Sequence, residues 1–258
     1  MGGGPLVGPG AGLNPYLGHH QVVDSAVASS GAPDLEFFWD PVCPFAWQTS
    51  RWLRRVASLR ALTVDWRFIN LSILNEERDY ASEFPEGYQE SHDRGRRMLR
   101  VAAAVREAEG HEAMDSLYQA FGTTIWHRIV EQEADFRSRV ATSDHLAEVL
   151  TLANFDVSHA LAADDPTYDV ELRLETAEAV ARTGRDVGTP IITFGPPDGP
   201  SIFGPVISAV PESDAACLEL FDAARTLSGY GTFSELKRSD RPPLDLPALT
   251  GVPDDLTS

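Results

Sequence analysis

The 258 residues carry 39 acidic against 21 basic side chains, for a formal net charge of -18, and 43 % of them are hydrophobic. That supports a core in one large domain, or in one domain interrupted by another, while the negative charge argues against nucleic acid and membrane surfaces as partners. Cys43 and Cys217 are the only cysteines, too few for a disulfide framework, so free thiols in a reducing, cytoplasmic setting are expected.

The opening "MGGGPLVGPGAGLNPYLGHHQVVDSAVASSGAP" is rich in Gly, Pro, Ala and Ser and shows no sustained period; a disordered extension over residues 1–33 is expected. No Lys or Arg precedes Arg51, so neither a secretory n-region nor an arginine-rich transit peptide is expected, and no apolar run approaches membrane-spanning length. The adjacent His19 and His20 read as incidental, and no metal site is expected.

"LEFFW" is an apolar and aromatic run suited to a buried strand, and "LTVDWRFINL" alternates well enough to be another. Between them Phe45, Trp52, Leu53, Val56 and Ala57 recur at helical steps, with Arg51, Arg54 and Arg55 left for solvent. The three elements form a βαβ unit with Cys43 at the strand-to-helix junction. From about Asn75 to Asp186 helical patterns take over: "GRRMLRVAAAVREAEG", "HEAMDSLYQAFG", "SDHLAEVLTLANF" and "DPTYDVELRLETAEAVARTG". The last has Asp165 as N-cap, Pro166 at the first position and Gly184 past the end, with Val170, Leu174, Ala177 and Ala181 on one face. "PIITF", the turn "GPPDGP" and "SIFGPVISAV" read as a hairpin, "SDAACLELFDAARTL" as a final helix, and the proline-rich stretch from Arg241 as an extended surface tail.

"DPVCPFAW" has the outline of a Cys-X-X-Cys redox site in which Ala46 stands where the second cysteine would be. A helix N-terminus favours a thiolate, and Pro44 lacks an N–H that would have no partner in the first turn. Cys43 is therefore the candidate nucleophile. Cys217 lies with Leu220, Phe221 and Ala224 on one helix face and reads as packing; nothing in the sequence argues for a disulfide between the two. Phe45 and Trp47, in the active-site turn, are candidates for contact with an aromatic substrate, whereas Trp52 reads as core. Asn75 lies in a polar loop after the second strand, a candidate to line the cleft whose default reading is a turn asparagine. No phosphate-binding glycine loop and no clustered ligand set occurs.

The order strand, helix, strand, helical block, hairpin, helix resembles an α/β thioredoxin-like fold with an inserted all-helical domain, the arrangement of the DsbA-like family. It implies a thioredoxin-like domain over 34–75 and 186–240, a helical insertion over 76–185 and a tail over 241–258. The blocks "FFWDPVCPFAWQTSRWL", "LSILNEERD", "GTPII", "IFGPVIS" and "FSELKR" followed by "RPP" are similar to the mycothiol-dependent nitroreductase family of actinobacteria, whose usual site is Cys-Pro-Trp-Cys. The resemblance implies that Pro190 is cis and faces Cys43, with the backbone of Thr189 open to an extended substrate. In "FGTTIWHRIV" the family pattern sets His directly after Ile, whereas Trp126 intervenes here; no role is carried over to His127, which reads as a helix histidine without a catalytic task. The resemblance further implies mycothiol as co-substrate and a disulfide or nitro compound as the other small-molecule partner; a homodimer is left open as a further expectation.

With no resolving thiol at position 46, the thiolate that releases Cys43 from a mixed disulfide must come from solution. The expected cycle is a monothiol one, in which free mycothiol regenerates Cys43. A glutathione-transferase-like enzyme or isomerase on the same fold, and a redox-inactive binding or chaperone-like module, are the competing readings.

Overall fold

A computed structural model of the chain describes residues 31–129 and 136–253. The first 30 residues of the extension expected over 1–33, with His19 and His20, and the end of the expected tail lie outside them. Four strands, β1 (Leu35–Trp39), β2 (Val64–Phe68), β3 (Ile191–Phe194) and β4 (Ser201–Phe203), form one sheet in the order β2-β1-β3-β4. β1 pairs with β2 in parallel, Phe37 opposite Trp66, and with β3 antiparallel, Phe37 opposite Ile192. Helix α1 (Pro44–Arg60) makes the crossover between the parallel strands, because a parallel pair needs a connection longer than a turn. β3 and β4 close the expected hairpin, with Ile192 opposite Ile202.

Every residue of the central strand β1 is buried. Leu35, Phe37 and Trp39 join Trp66 and Phe68 in the main core, while Phe38 packs with Ile191 and Ala179 on the other side, as a period of two requires. Between β2 and β3 come α2 (Leu71–Leu74), α3 (Tyr80–Glu83), α4 (Tyr88–Glu109), α5 (Ala113–Trp126), α6 (Phe136–Arg139), α7 (Ser143–Leu152) and α8 (Asp169–Thr183), with 3-10 turns at Val157–Asp164 and Pro166–Tyr168. After the hairpin follow α9 (Asp214–Ser228) and the short α10 (Pro247–Thr250). This is the expected thioredoxin-like α/β arrangement with a helical insertion. No helix among the described residues is long and apolar enough to cross a membrane.

Three expectations are corrected. Asp165 caps a 3-10 turn, its carboxylate accepting from Thr167 N–H, and α8 proper begins at Asp169. The face shared by Val170 and Leu174 is the outer one, these being 65 % and 67 % exposed, whereas Leu172, Glu175, Thr176 and Ala179 face inward. The reason is electrostatic. α8 covers the sheet face that carries Glu36 and Arg67, so its inner stripe must supply carboxylates: Glu175 accepts from Arg67 Nε at 2.5 Å and from the Phe68 N–H at 2.7 Å, and Arg182 pairs with Glu36 and Glu178. Buried charge survives only when paired and hydrogen-bonded. Second, the last strand ends at Phe203, because Gly204 has φ 105° and precedes Pro205, which has no ladder donor. Third, the C-terminal stretch is anchored rather than merely lying on the surface. Leu246 is fully buried in the main core, and the Asp245 N–H donates to Ser208 O at 2.9 Å.

Candidate active site

Cys43 stands between the end of β1 and the start of α1. Its N–H donates to Asp40 O at 3.0 Å, which closes the turn, and its sulfur caps the helix by accepting from the Ala46 N–H at 3.4 Å. Pro44 opens the helix, where its missing N–H costs nothing. Across the cleft the Thr189–Pro190 bond is cis. The thiol donates to Thr189 O at 3.4 Å, and Thr189 Oγ1 donates to Phe38 O at 2.7 Å. Cys43, Thr189 and Pro190 are therefore neighbours despite 146 positions between the sulfur and its acceptor. Both cysteines are free, and Cys217 is buried in the core, where its sulfur donates to Pro211 O at 3.4 Å. Trp52 is likewise core, with Nε1 donating to Cys217 O at 3.0 Å.

The expected help from the helix N-terminus is present but outweighed. Cys43 is 8 % exposed, and burial pushes its thiol up to about 12; the Ala46 N–H pulls the other way, the Asp40 carboxylate adds to the rise, and the Phe45 N–H opposes it. The sulfur is therefore a neutral S–H donor to Thr189 O. Removing water from an anion costs more here than two N–H dipoles return.

Asp40 is the site residue that no sequence signal marks as unusual. It is fully buried; Oδ2 accepts from Leu71 N–H at 2.8 Å and Oδ1 from Val42 N–H at 3.1 Å, so it ties the cysteine turn to the loop after β2. Burial raises its carboxyl from the ordinary 3.8 to about 7, with the Leu71 and Val42 N–H groups opposing. A carboxyl whose pKa is raised on folding contributes stability that is full below about pH 4 and lost as pH rises through about 7. Asp40→Asn removes that dependence. Urea unfolding of both proteins between pH 4 and 8 is expected to show the parent losing ground on the variant as pH rises, with the gap levelling off above neutrality; parallel curves would refute the assignment.

Trp47 is 4 % exposed, so the contact role expected of it gives way to packing. Its ring lies against α5 at Gly122, where a Cβ would come within 2.2 Å, and its Nε1 donates to His127 Nε2 at 2.9 Å. His127 thus accepts from the indole and orients helix α1, a task the sequence does not assign it. The expected helix over "HEAMDSLYQAFG" runs through Gly122 to Trp126. A glycine inside a helix costs about 1 kcal/mol against alanine, and that cost is the readable signal of a close approach. Phe45 is half-buried, with the guanidinium of Arg241 5.4 Å from its ring centroid. Asn75 caps α2, its Nδ2 donating to Leu71 O at 2.8 Å.

A family model described as Rv2466c-like, mycothiol-dependent nitroreductase Rv2466c, matches residues 42–238. The chain is 29 % identical over 211 residues to the uncharacterized protein Rv2286c of Mycobacterium tuberculosis, covering 81 % of this chain and 83 % of that one. Among solved structures it is similar to a probable DsbA oxidoreductase, SCO1869 of Streptomyces coelicolor, at 17 % identity and a TM-score of 0.47, over 81 % and 94 % of the two chains. It is also similar to a 2-hydroxychromene-2-carboxylate isomerase at 14 % identity and a TM-score of 0.46, over 75 % and 95 %. At these scores neither structural likeness bears on the chemistry.

Proposed function

The chain belongs to the Rv2466c-like, mycothiol-dependent nitroreductase family, and from that premise we propose that it is a thiol-dependent oxidoreductase working through Cys43 alone, with mycothiol as co-substrate. The observation that carries this reading is the sulfur of Cys43 at the N-cap of α1, bonded to the carbonyl of Thr189 before a cis proline, with Ala46 in the place of a second thiol.

A mixed disulfide of mycothiol and a substrate thiol takes the place of the S–H···O contact at Thr189. The Cys43 thiolate attacks the mycothiol sulfur, the S–S bond breaks, and the substrate leaves as a thiolate that picks up the proton released by Cys43. A thiolate of free mycothiol then attacks the Cys43-bound mycothiol, mycothiol disulfide departs, and Cys43 is regenerated. The net exchange is one mixed disulfide plus one mycothiol giving one substrate thiol plus mycothiol disulfide. The family description favours a nitro compound as a second acceptor, for which two mycothiols give one disulfide while the nitro group loses one oxygen as water. Thr189, Pro190, Phe45 and Asn75 line the route to the sulfur in this reading. A cytoplasmic setting, where the small thiol is kept reduced, suits it.

Steady-state rates with a mycothiolated peptide are the test. The single-sulfur cycle gives ping-pong kinetics, with regeneration first order in free mycothiol. Ala46→Cys supplies an internal resolving thiol, so its Cys43 adduct is expected to collapse, without added thiol, to an internal disulfide between Cys43 and the introduced sulfur, while the parent adduct persists. A parent rate independent of free mycothiol would count against the proposal, as would an Ala46→Cys adduct no shorter-lived than that of the parent.

A further inference from the structure

The block "FSELKR" followed by "RPP" has no task in the cycle above, yet the structure brings its end to the active site. The strap after Asp240 is pinned to Ser208 and to helix α1. Ser208 Oγ donates to Pro242 O at 2.9 Å, Ser208 O accepts from Asp245 N–H at 2.9 Å, and Gln48 of α1 donates its buried amide to Asp245 O at 3.3 Å and to Ser208 O at 3.4 Å. Leu246 then enters the main core. What this anchoring holds in position is Arg241, whose guanidinium lies 5.4 Å from the ring centroid of Phe45, two residues beyond Cys43.

Arg241 is an exposed arginine beside the cysteine turn. Several other arginines, Arg55, Arg60 and Arg97 among them, meet a carboxylate, in a chain where acids outnumber bases by 39 to 21. No carboxylate among the described residues lies within ion-pair reach of Arg241, and it is exposed. A guanidinium held over an aromatic ring keeps the N–H fork at its own edge free, and that fork matches a planar pair of oxygens.

We propose that Arg241 is the specificity residue of the Cys43 site, binding the paired oxygens of a carboxylate or nitro group on an aromatic substrate whose ring lies against Phe45. This rests on Cys43 being the reacting sulfur. The cation selects the electron acceptor, in a protein whose overall charge would otherwise repel an anionic one.

The test compares Cys43 reaction rates with two aryl disulfides, the carboxylated and nitrated 5,5′-dithiobis(2-nitrobenzoate) and the uncharged 2,2′-dithiodipyridine, in the parent, Arg241→Gln and Arg241→Glu proteins. Loss of the fork is expected to slow the anionic probe about tenfold, more in Arg241→Glu, and to leave the neutral probe within about twofold. A carboxylated aryl disulfide without the nitro group separates the two oxygen pairs: if it loses as much as the first probe, the carboxylate is the group bound, and if it loses nothing, the nitro group is. Equal slowing of charged and neutral probes would make Arg241 a general influence on the thiol and overturn the proposal, as would no change with either. Failure of Cys43 to react with any probe in the parent would instead refute the monothiol reading.

Discussion

Exchanging Cys43 for Ser is expected to bring thiol-dependent turnover down to background while leaving folding stability within about 1 kcal/mol of the parent. Serine is a preferred N-cap, so its hydroxyl can take over the acceptance from the Ala46 N–H and the donation to Thr189 O that the sulfur now makes. Fold and chemistry separate at this one atom, because an alkoxide is out of reach where a thiol is already held neutral by burial. Activity and urea unfolding measured on the same preparation check both halves. Turnover retained above a tenth of the parent value would remove Cys43 from the mechanism, and loss of the fold would mean that the sulfur is structural.

Gly122→Ala is expected to destabilise the protein by about 1–3 kcal/mol, although the same exchange in an unobstructed helix stabilises by about 0.5–1 kcal/mol. The sign reverses because the new methyl would stand 2.2 Å from Cε3 and Cζ3 of Trp47. That ring has nowhere to retreat. Tyr118 lies edge-on at 5.5 Å, Arg54 approaches its face at 5.6 Å, and the indole N–H is held by His127. Moving Trp47 moves the first turn of α1, so turnover is expected to fall along with stability. Trp47→Leu in the Gly122→Ala background should recover part of the stability, as two residues competing for one space must. Additive losses in that double variant would show that the two positions do not meet.

β1, α1 and β2 are legible because each has its own signal: an apolar run, a 3.6 period behind Cys-Pro, and an alternation. The meeting of Cys43 with Thr189 has no local signal, since 146 positions separate the two, and only family resemblance points to it. On α8 the apolar spacing turns the wrong face inward. Such spacing assigns the buried side of a helix when the surface it covers is apolar, and here that surface carries Glu36 and Arg67, so Val170 and Leu174 are left outside. Asp40 is inconspicuous because an acid before Pro reads as a turn former; that it is buried without a cationic partner depends on Leu71 and Gly95 packing over it. The anchoring of the tail hangs on Leu246 and on two carbonyls read by Gln48, and backbone carbonyls leave no trace in a sequence.

The most direct test of the single-sulfur account is the intact mass of the parent and of Cys43→Ser after exposure to mycothiol disulfide, followed by free mycothiol. One mycothiol adduct on the parent, absent from Cys43→Ser and removed by the free thiol, is the expected result. A folded parent that takes up no adduct, or an adduct that persists in Cys43→Ser, would contradict it.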